Sequence, residues 1–231
     1  MINSNEILEL LIFTQSKDNH SNLKDIRSIT VNALFEQIKN LNIAIILSRQ
    51  INDLTFLKTE ISESITEESI DDILYNYEGF VKDAYFIKSF IIVENHINQI
   101  AEFYETDESK IKHHSSILST FENLIKKEKC ELFSDLSDYE INLFRFYCWL
   151  RNTNHKIGFQ SKEDKSLVIN DKYSVININE VKLELKNGEG NNLDTNSLLL
   201  LHEQIIKLII KINSKIPADE YIEHILANNY N

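Results

Sequence analysis

The stretch DYEINLFRFYCWLRNTNHKIG, residues 138–158, decides how this chain is read. Asp138 is preceded by Asp135, Leu136 and Ser137, which mark a start. From Ile141 onward the apolar residues Ile141, Leu143, Phe144, Phe146, Tyr147, Trp149 and Leu150 leave almost no polar face. A helix that is apolar nearly all round belongs between neighbours, so the pattern predicts a central helix over about 138–153. Gly158, three residues after His155, is a stop signal of the kind that follows helix C-termini.

Outward from this helix the periodicity is helical on both sides. Val31, Leu34, Phe35, Ile38, Leu41 and Ile45 carry 3-4 spacing and predict a helix over about 23–50. Tyr85, Phe86, Phe90, Val93, Ile97, Ile100 and Phe103 predict a second over 81–105, and Ile111, Ile117, Leu118, Phe121, Leu124 and Ile125 a third over 111–127. Ile7, Leu8, Leu10 and Leu11 mark one short helical pattern near the start. Between 59 and 72 the chain is acidic and polar, which predicts a loop or a short helix capped by Thr66. After Gly158 the period changes to two. Tyr173, Val175 and Asn177, then Val181, Leu183 and Leu185, predict a hairpin over about 173–185 turning at Asn179-Glu180. Asp194, Thr195 and Asn196 are candidate caps of a fifth long helix from Leu198 to about Ile216, stopping before Pro217. A last short helix is expected from Asp219 to Ala227. The predicted class is all-α: a bundle of four to five long helices with a small β-hairpin insertion after residues 138–153. Residues 1–79 are expected to pack on the same core as 80–216, with 217–231 a short helix or tail.

Composition agrees with this class. Only 4 Gly and 1 Pro among 231 residues favour long uninterrupted elements over Gly-rich catalytic loops. A formal net charge of -12 gives no global attraction for nucleic acid, so any such site needs a local patch, a partner or a dimer cleft. Cys130 and Cys148 lie in apolar helical surroundings without a Cys-x-x-Cys pair, and are expected to be reduced core thiols. No leader pattern and no apolar run near ~20 residues is present, which points to a cytoplasmic protein with no membrane contact. Phosphate-loop, dinucleotide-binding, HExxH and GxSxG motifs are absent. His113 and His114 lack metal-ligand partners at suitable spacing, so no metal site is expected there. Lys110, Lys112, Lys126, Lys127 and Lys129 make a basic region that reads most simply as a solvated face.

Arg151 and His155 stand four apart, on one face of the predicted helix about a turn from each other, with Asn152 and Asn154 beside them. Two readings are open. Both cations can simply interact with the last carbonyls and the negative end of the helix dipole. Alternatively, a guanidinium holding non-bridging phosphate oxygens beside an imidazole that moves a proton can act on a phosphodiester. Asn152 would orient either group. Glu94, embedded in the apolar run from Phe90, is a candidate for bonding Arg151 or His155 and raising the imidazole's basicity.

The run from Leu150 to Phe159 resembles the signature of the HEPN family, helical-bundle domains defined by an Arg, a polar residue and a following His near a helix end. Three residues separate Arg151 from His155, which resembles the short-spaced subgroup rather than the commoner longer spacing. The helix carrying Ser89 and Glu94, the hairpin and the helix from Leu198 extend the resemblance over roughly 80–216. The resemblance implies a homodimer whose two Arg-His sets face one cleft. It implies RNA cleavage without metal or other cofactor, by 2'-hydroxyl attack leaving a 2',3'-cyclic phosphate. Arg151, His155, Asn152 and Glu94 would then be the catalytic set, and Arg151, Asn154 and Lys156 would contact RNA. Family members serve as toxins paired with nucleotidyltransferase-type antitoxins or as phage-defence effectors. Others bind RNA or proteins without cleavage, which is the alternative expectation.

Overall fold

The computed structural model describes residues 4–17, 22–104, 116–126, 131–154, 163–176, 180–190 and 193–224. Within them the chain is mostly helical, with one two-stranded antiparallel sheet. Helix α1 (Ser4–Gln15) lies along α2 (Ile26–Leu47). Asp25 caps α2 by accepting from Arg27 N, and Val31, Leu34, Ile38, Leu41 and Ile45 form its buried stripe, as their spacing predicts. A 3-10 turn leads to α3 (Leu54–Glu60), capped by Asp53. Thr66 and Ser69 then make a reciprocal capping box.

Helix α4 (Ile70–Tyr104) begins eleven residues before its predicted start at 81. The reason is visible in burial. Its fully buried residues run from Val81 to Ile100, and none lies in the first eleven positions. Through those turns Ile70, Ile73, Leu74 and Tyr77 keep the 3-4 spacing but are only half-buried, so the helix extends beyond the fully buried stripe on which the expected start rests. Helix α5 (Ile117–Leu124) is capped by Ser116, and Phe121 stacks on Phe144 with ring centroids 4.1 Å apart. The predicted turns before Ser116 lie outside the described residues.

Helix α6 (Asp138–Asn154) matches the opening stretch. Ser137 and Glu140 form a capping box: Glu140 Oε2 accepts from Ser137 N, and Ser137 Oγ accepts from Glu140 N. Leu143, Phe144, Phe146, Tyr147 and Leu150 are buried. Helix α7 (Thr195–Lys215), capped by Asp194, is buried still more completely, from Ser197 through Ile206 without a break. Its C-cap Ile216 turns extended (φ -69, ψ 124), as a residue before proline must. One core cluster draws on α1, α2 and α4 to α7, from Ile7 to Ile222.

Two expectations are corrected. The hairpin pairs β1 (Lys165–Asn170) with β2 (Glu180–Leu185), Lys165 opposite Leu185 and Asn170 opposite Glu180, so the first strand precedes the predicted 173–178. Leu167 and Ile169 face inward with Leu183 and Leu185. The alternating residues at 173–176 form no strand because α7 claims their polar groups. Val175 N and Ser174 Oγ donate to the buried Glu203 carboxylate at 3.1 and 2.7 Å, and Tyr173 stands in solvent. Asn177 lies outside the described residues. No helix starts at Asp219 either. The carbonyls of Ile216, Pro217 and Glu220 accept from the Arg27 guanidinium, Ile222 O accepts from Ile26 N, and His224 N donates to Lys24 O. Apart from one turn bond, from Glu220 N to Pro217 O, these groups are engaged with the start of α2. Residues 225–227 of that expected helix lie outside the described residues.

No helix among the described residues is long and apolar enough to cross a membrane.

Candidate functional site

Arg151 occupies the last turn of α6, where Thr153 Oγ1 donates to Leu150 O at 2.7 Å. Its side chain is half-buried, and the guanidinium carbon lies 5.5 Å from the centroid of the Phe90 ring. A guanidinium at that distance is attracted by the ring's quadrupole, by about 0.5–1 kcal/mol where water still reaches it. Phe90 is itself fixed: it is buried and packs on Tyr147 at 5.2 Å and on Phe86 at 6.3 Å. The ring thus gives the cation a rigid seat. Arg151 Nη1 reaches Asn152 Oδ1 at 3.5 Å, the outer limit of a hydrogen bond, and Asn152 is exposed. Among the described residues Arg151 has no carboxylate within ion-pair distance.

Glu94 lies one turn beyond Phe90 on α4, half-buried. Among the described residues no hydrogen bond or ion pair joins it to Arg151. The two are nevertheless neighbours of one group, the buried thiol of Cys148. Burial pushes that thiol well above its usual range, Glu94 adds to the rise, and Arg151 opposes it. The thiol is therefore protonated and unreactive in the folded protein. Asn154 ends the helix, and nothing is described of its side chain. His155 and Lys156 lie outside the described residues, as do His113, His114, Lys110, Lys112, Lys127, Lys129 and Cys130. The structure thus brings Arg151, Asn152, Phe90 and Glu94 to one end of α6. Phe90 is the member that sequence reasoning missed in this role. The four-residue step from Phe90 to Glu94 sets both on one face of α4, but it does not distinguish Phe90 from the other apolar residues of that stripe.

His202 and His96 are buried in the core. His202 is enclosed by two tyrosines: the Tyr85 hydroxyl bonds its Nδ1, and the Tyr147 hydroxyl lies 3.2 Å from its Nε2. Burial lowers the imidazole to about 3 and raises both phenols, so all three are neutral. His96 is likewise buried, with Nδ1 2.9 Å from Thr30 Oγ1, and is lowered to about 3, burial being the chief cause. Among the described residues no group of His, Cys, Asp and Glu could hold a metal ion.

A second feature lies on the other side of Leu150. A cleft of about 430 Å3 opens between the first half of α4 and the start of α7. Tyr75, Gly79, Lys82, Asp83 and Phe86 of α4 line it, with Leu150, Leu193 and Asp194 opposite.

No protein-family model matches the chain, and no curated protein or solved structure resembles it significantly.

Proposed function

We propose that this chain is a metal-independent endoribonuclease of the HEPN type, acting as a cytoplasmic homodimer in a toxin or phage-defence role. The observation that carries the reading is Arg151: a guanidinium seated on the buried Phe90 ring at a helix end, with no carboxylate pairing it among the described residues. An arginine that served only to cap its helix would have no need of an aromatic seat in the facing helix. Its forked donors suit the non-bridging oxygens of a phosphodiester. In this reading His155 removes the 2'-hydroxyl proton, or passes one to the departing oxygen, as the 2'-oxygen bonds to phosphorus. The bond to the 5'-oxygen breaks, leaving a 2',3'-cyclic phosphate and a 5'-hydroxyl. Arg151 stabilises the charge that gathers on the phosphoryl oxygens. Asn152 orients the guanidinium, Asn154 and Lys156 contact the RNA backbone, and Glu94 acts through the fields of its neighbours. The partner antitoxin would be of the nucleotidyltransferase type.

A second reading, a HEPN-like module that binds RNA or protein without cleaving, is favoured by the net charge of -12. One experiment separates the two. Purified wild type, Arg151→Ala and His155→Ala are incubated with total RNA in EDTA, and product ends are mapped. Cleavage to cyclic phosphate by wild type, lost in both variants whose melting temperature is unchanged, supports the nuclease. Equal cleavage by wild type and His155→Ala sinks the catalytic assignment. RNA retention without new ends supports the binding module.

A further inference from the structure

The cleft between α4 and α7 has an unusual floor. Gly79 is an interior residue in the first third of a 35-residue helix, where glycine costs about 1 kcal/mol relative to alanine. A Cβ added there would meet nothing within 4 Å. Packing therefore does not require the missing side chain, and its absence leaves the space above the helix open. Beside it Tyr75 and Phe80 are 79% and 72% exposed, an uncommon state for two large rings only five residues apart. A cleft of about 430 Å3 lies within the range of ligand sites, ~300–1,000 Å3.

The charges around the cleft are one-sided. Glu78, Asp83 and Asp194 line it against a single ammonium, Lys82. That ammonium is engaged, donating to Leu193 O at 2.9 Å. The Asp194 carboxylate is engaged too, accepting from Ser197 N and Oγ as the cap of α7. Glu78 and Asp83 have no hydrogen-bond or ion-pair partner among the described residues. Asp83 is also raised above the usual carboxylate range, chiefly by desolvation, with Lys82 only partly opposing.

We propose that this cleft is a docking site for an arginine side chain of a basic partner protein, the guanidinium lying against Tyr75 or Phe80 and pairing with Asp83 and Glu78. Aromatic faces beside unpaired carboxylates match the two attractions a guanidinium makes, stacking and forked hydrogen bonding. Exposed tyrosine and phenylalanine beside a cleft are the residue types that anchor protein interfaces. The same carboxylates repel a phosphate, so the cleft does not suit a nucleotide. A second copy of this acidic chain is a poorer fit than a basic partner on the same ground. The site stands apart from the endoribonuclease reading, although Leu150 in its wall precedes Arg151, so a docked partner would sit against the same helix end.

The test is a titration of the full chain, followed by NMR or calorimetry, with three probes: the hexapeptide acetyl-(Gly-Arg)3-amide, its glutamate counterpart, and adenosine monophosphate. The arginine peptide is expected to bind saturably and the other two not. Asp83→Asn should weaken it at least tenfold. Gly79→Leu fills the cleft without touching a charge, and should abolish binding while leaving the melting temperature equal or higher. No saturable binding of the arginine peptide overturns the proposal. So does binding that Gly79→Leu leaves unchanged, or tighter binding of adenosine monophosphate than of the arginine peptide.

Discussion

Acidification from pH 7 to pH 5 should destabilise this protein more steeply than its carboxylates explain. His96 and His202 are fully buried, and burial lowers each from 6.5 to about 3. In the unfolded chain both titrate near 6.5, so between about pH 6.5 and 3 the unfolded state binds protons that the folded state refuses. The stability from keeping each imidazole neutral is fully present above pH 6.5 and is lost as pH falls toward 3. Integrated from pH 7 to 5, the loss is about 2 kcal/mol per histidine and about 4 kcal/mol for the two. Against a typical domain stability of ~5–15 kcal/mol, that is a large fraction. Carboxylates held low by pairing, such as Asp171 beside Lys207 and Gln204, lose their contribution at lower pH. The two effects therefore separate in window. Urea unfolding at pH 7, 6 and 5, read by circular dichroism, gives the slope. His96→Leu removes one titrating group and should reduce the pH 7-to-5 loss by about half, whatever it does to stability at pH 7. A wild-type stability that changes by less than about 1 kcal/mol over this range, or a slope unaltered in His96→Leu, refutes the argument.

Three further outcomes follow from single groups. Asp25→Ala removes the cap of α2 and strands a buried Arg27 that also holds the carbonyls of Ile216, Pro217 and Glu220. It should cost about 3–5 kcal/mol by urea unfolding and expose the segment after Pro217 to protease. Cys148, buried and with its thiol raised, should resist iodoacetamide at pH 8 in the native protein and react within minutes in urea, as peptide mass spectrometry would show. Gly188 has φ +77 in the turn after β2, where an L side chain is strained, so Gly188→Ala should lower stability by about 1–2 kcal/mol.

What the sequence made legible is what repeats. The 3-4 spacing of α2, the apolar core of α6 and the caps at Thr66 and Asp194 are local patterns, and each stands where it was read. The misread strand at 173–176 and the missing helix after Asp219 share a cause, namely long-range polar bonds that override local propensity. Val175 alternates like a strand residue, but its N–H goes to Glu203, twenty-eight positions away. Glu220 has a helix former's side chain, but its carbonyl goes to Arg27. Neither partner is visible to a period count. The site was legible in the same partial way. Arg151 and Asn152 could be found from their spacing to His155, whereas the aromatic seat could not, because Phe90 looks like any other core residue until the facing helix is in place.

The distribution of charge bears on how an acidic chain could work on an anion. Near Arg151, Glu122 is paired with Arg145 at 2.8 Å, whereas Glu94, half-buried a turn from Phe90, has no ion-pair partner among the described residues. Around the α4–α7 cleft Glu78 and Asp83 likewise have no pairing among the described residues. The guanidinium of Arg151 and the acidic cleft, whose lining includes Leu150, therefore both lie at the end of α6. Long-range attraction between this chain and RNA is unfavourable at a net charge of -12, so contact with an anion at Arg151 must rely on short-range bonding or on a neighbour's field. A basic partner seated in the cleft would neutralise the nearest unpaired carboxylates. RNA affinity measured with and without the arginine peptide bears on that coupling: tighter RNA binding in its presence, lost in Gly79→Leu, would join the two sites, and an unchanged affinity would show that they act separately.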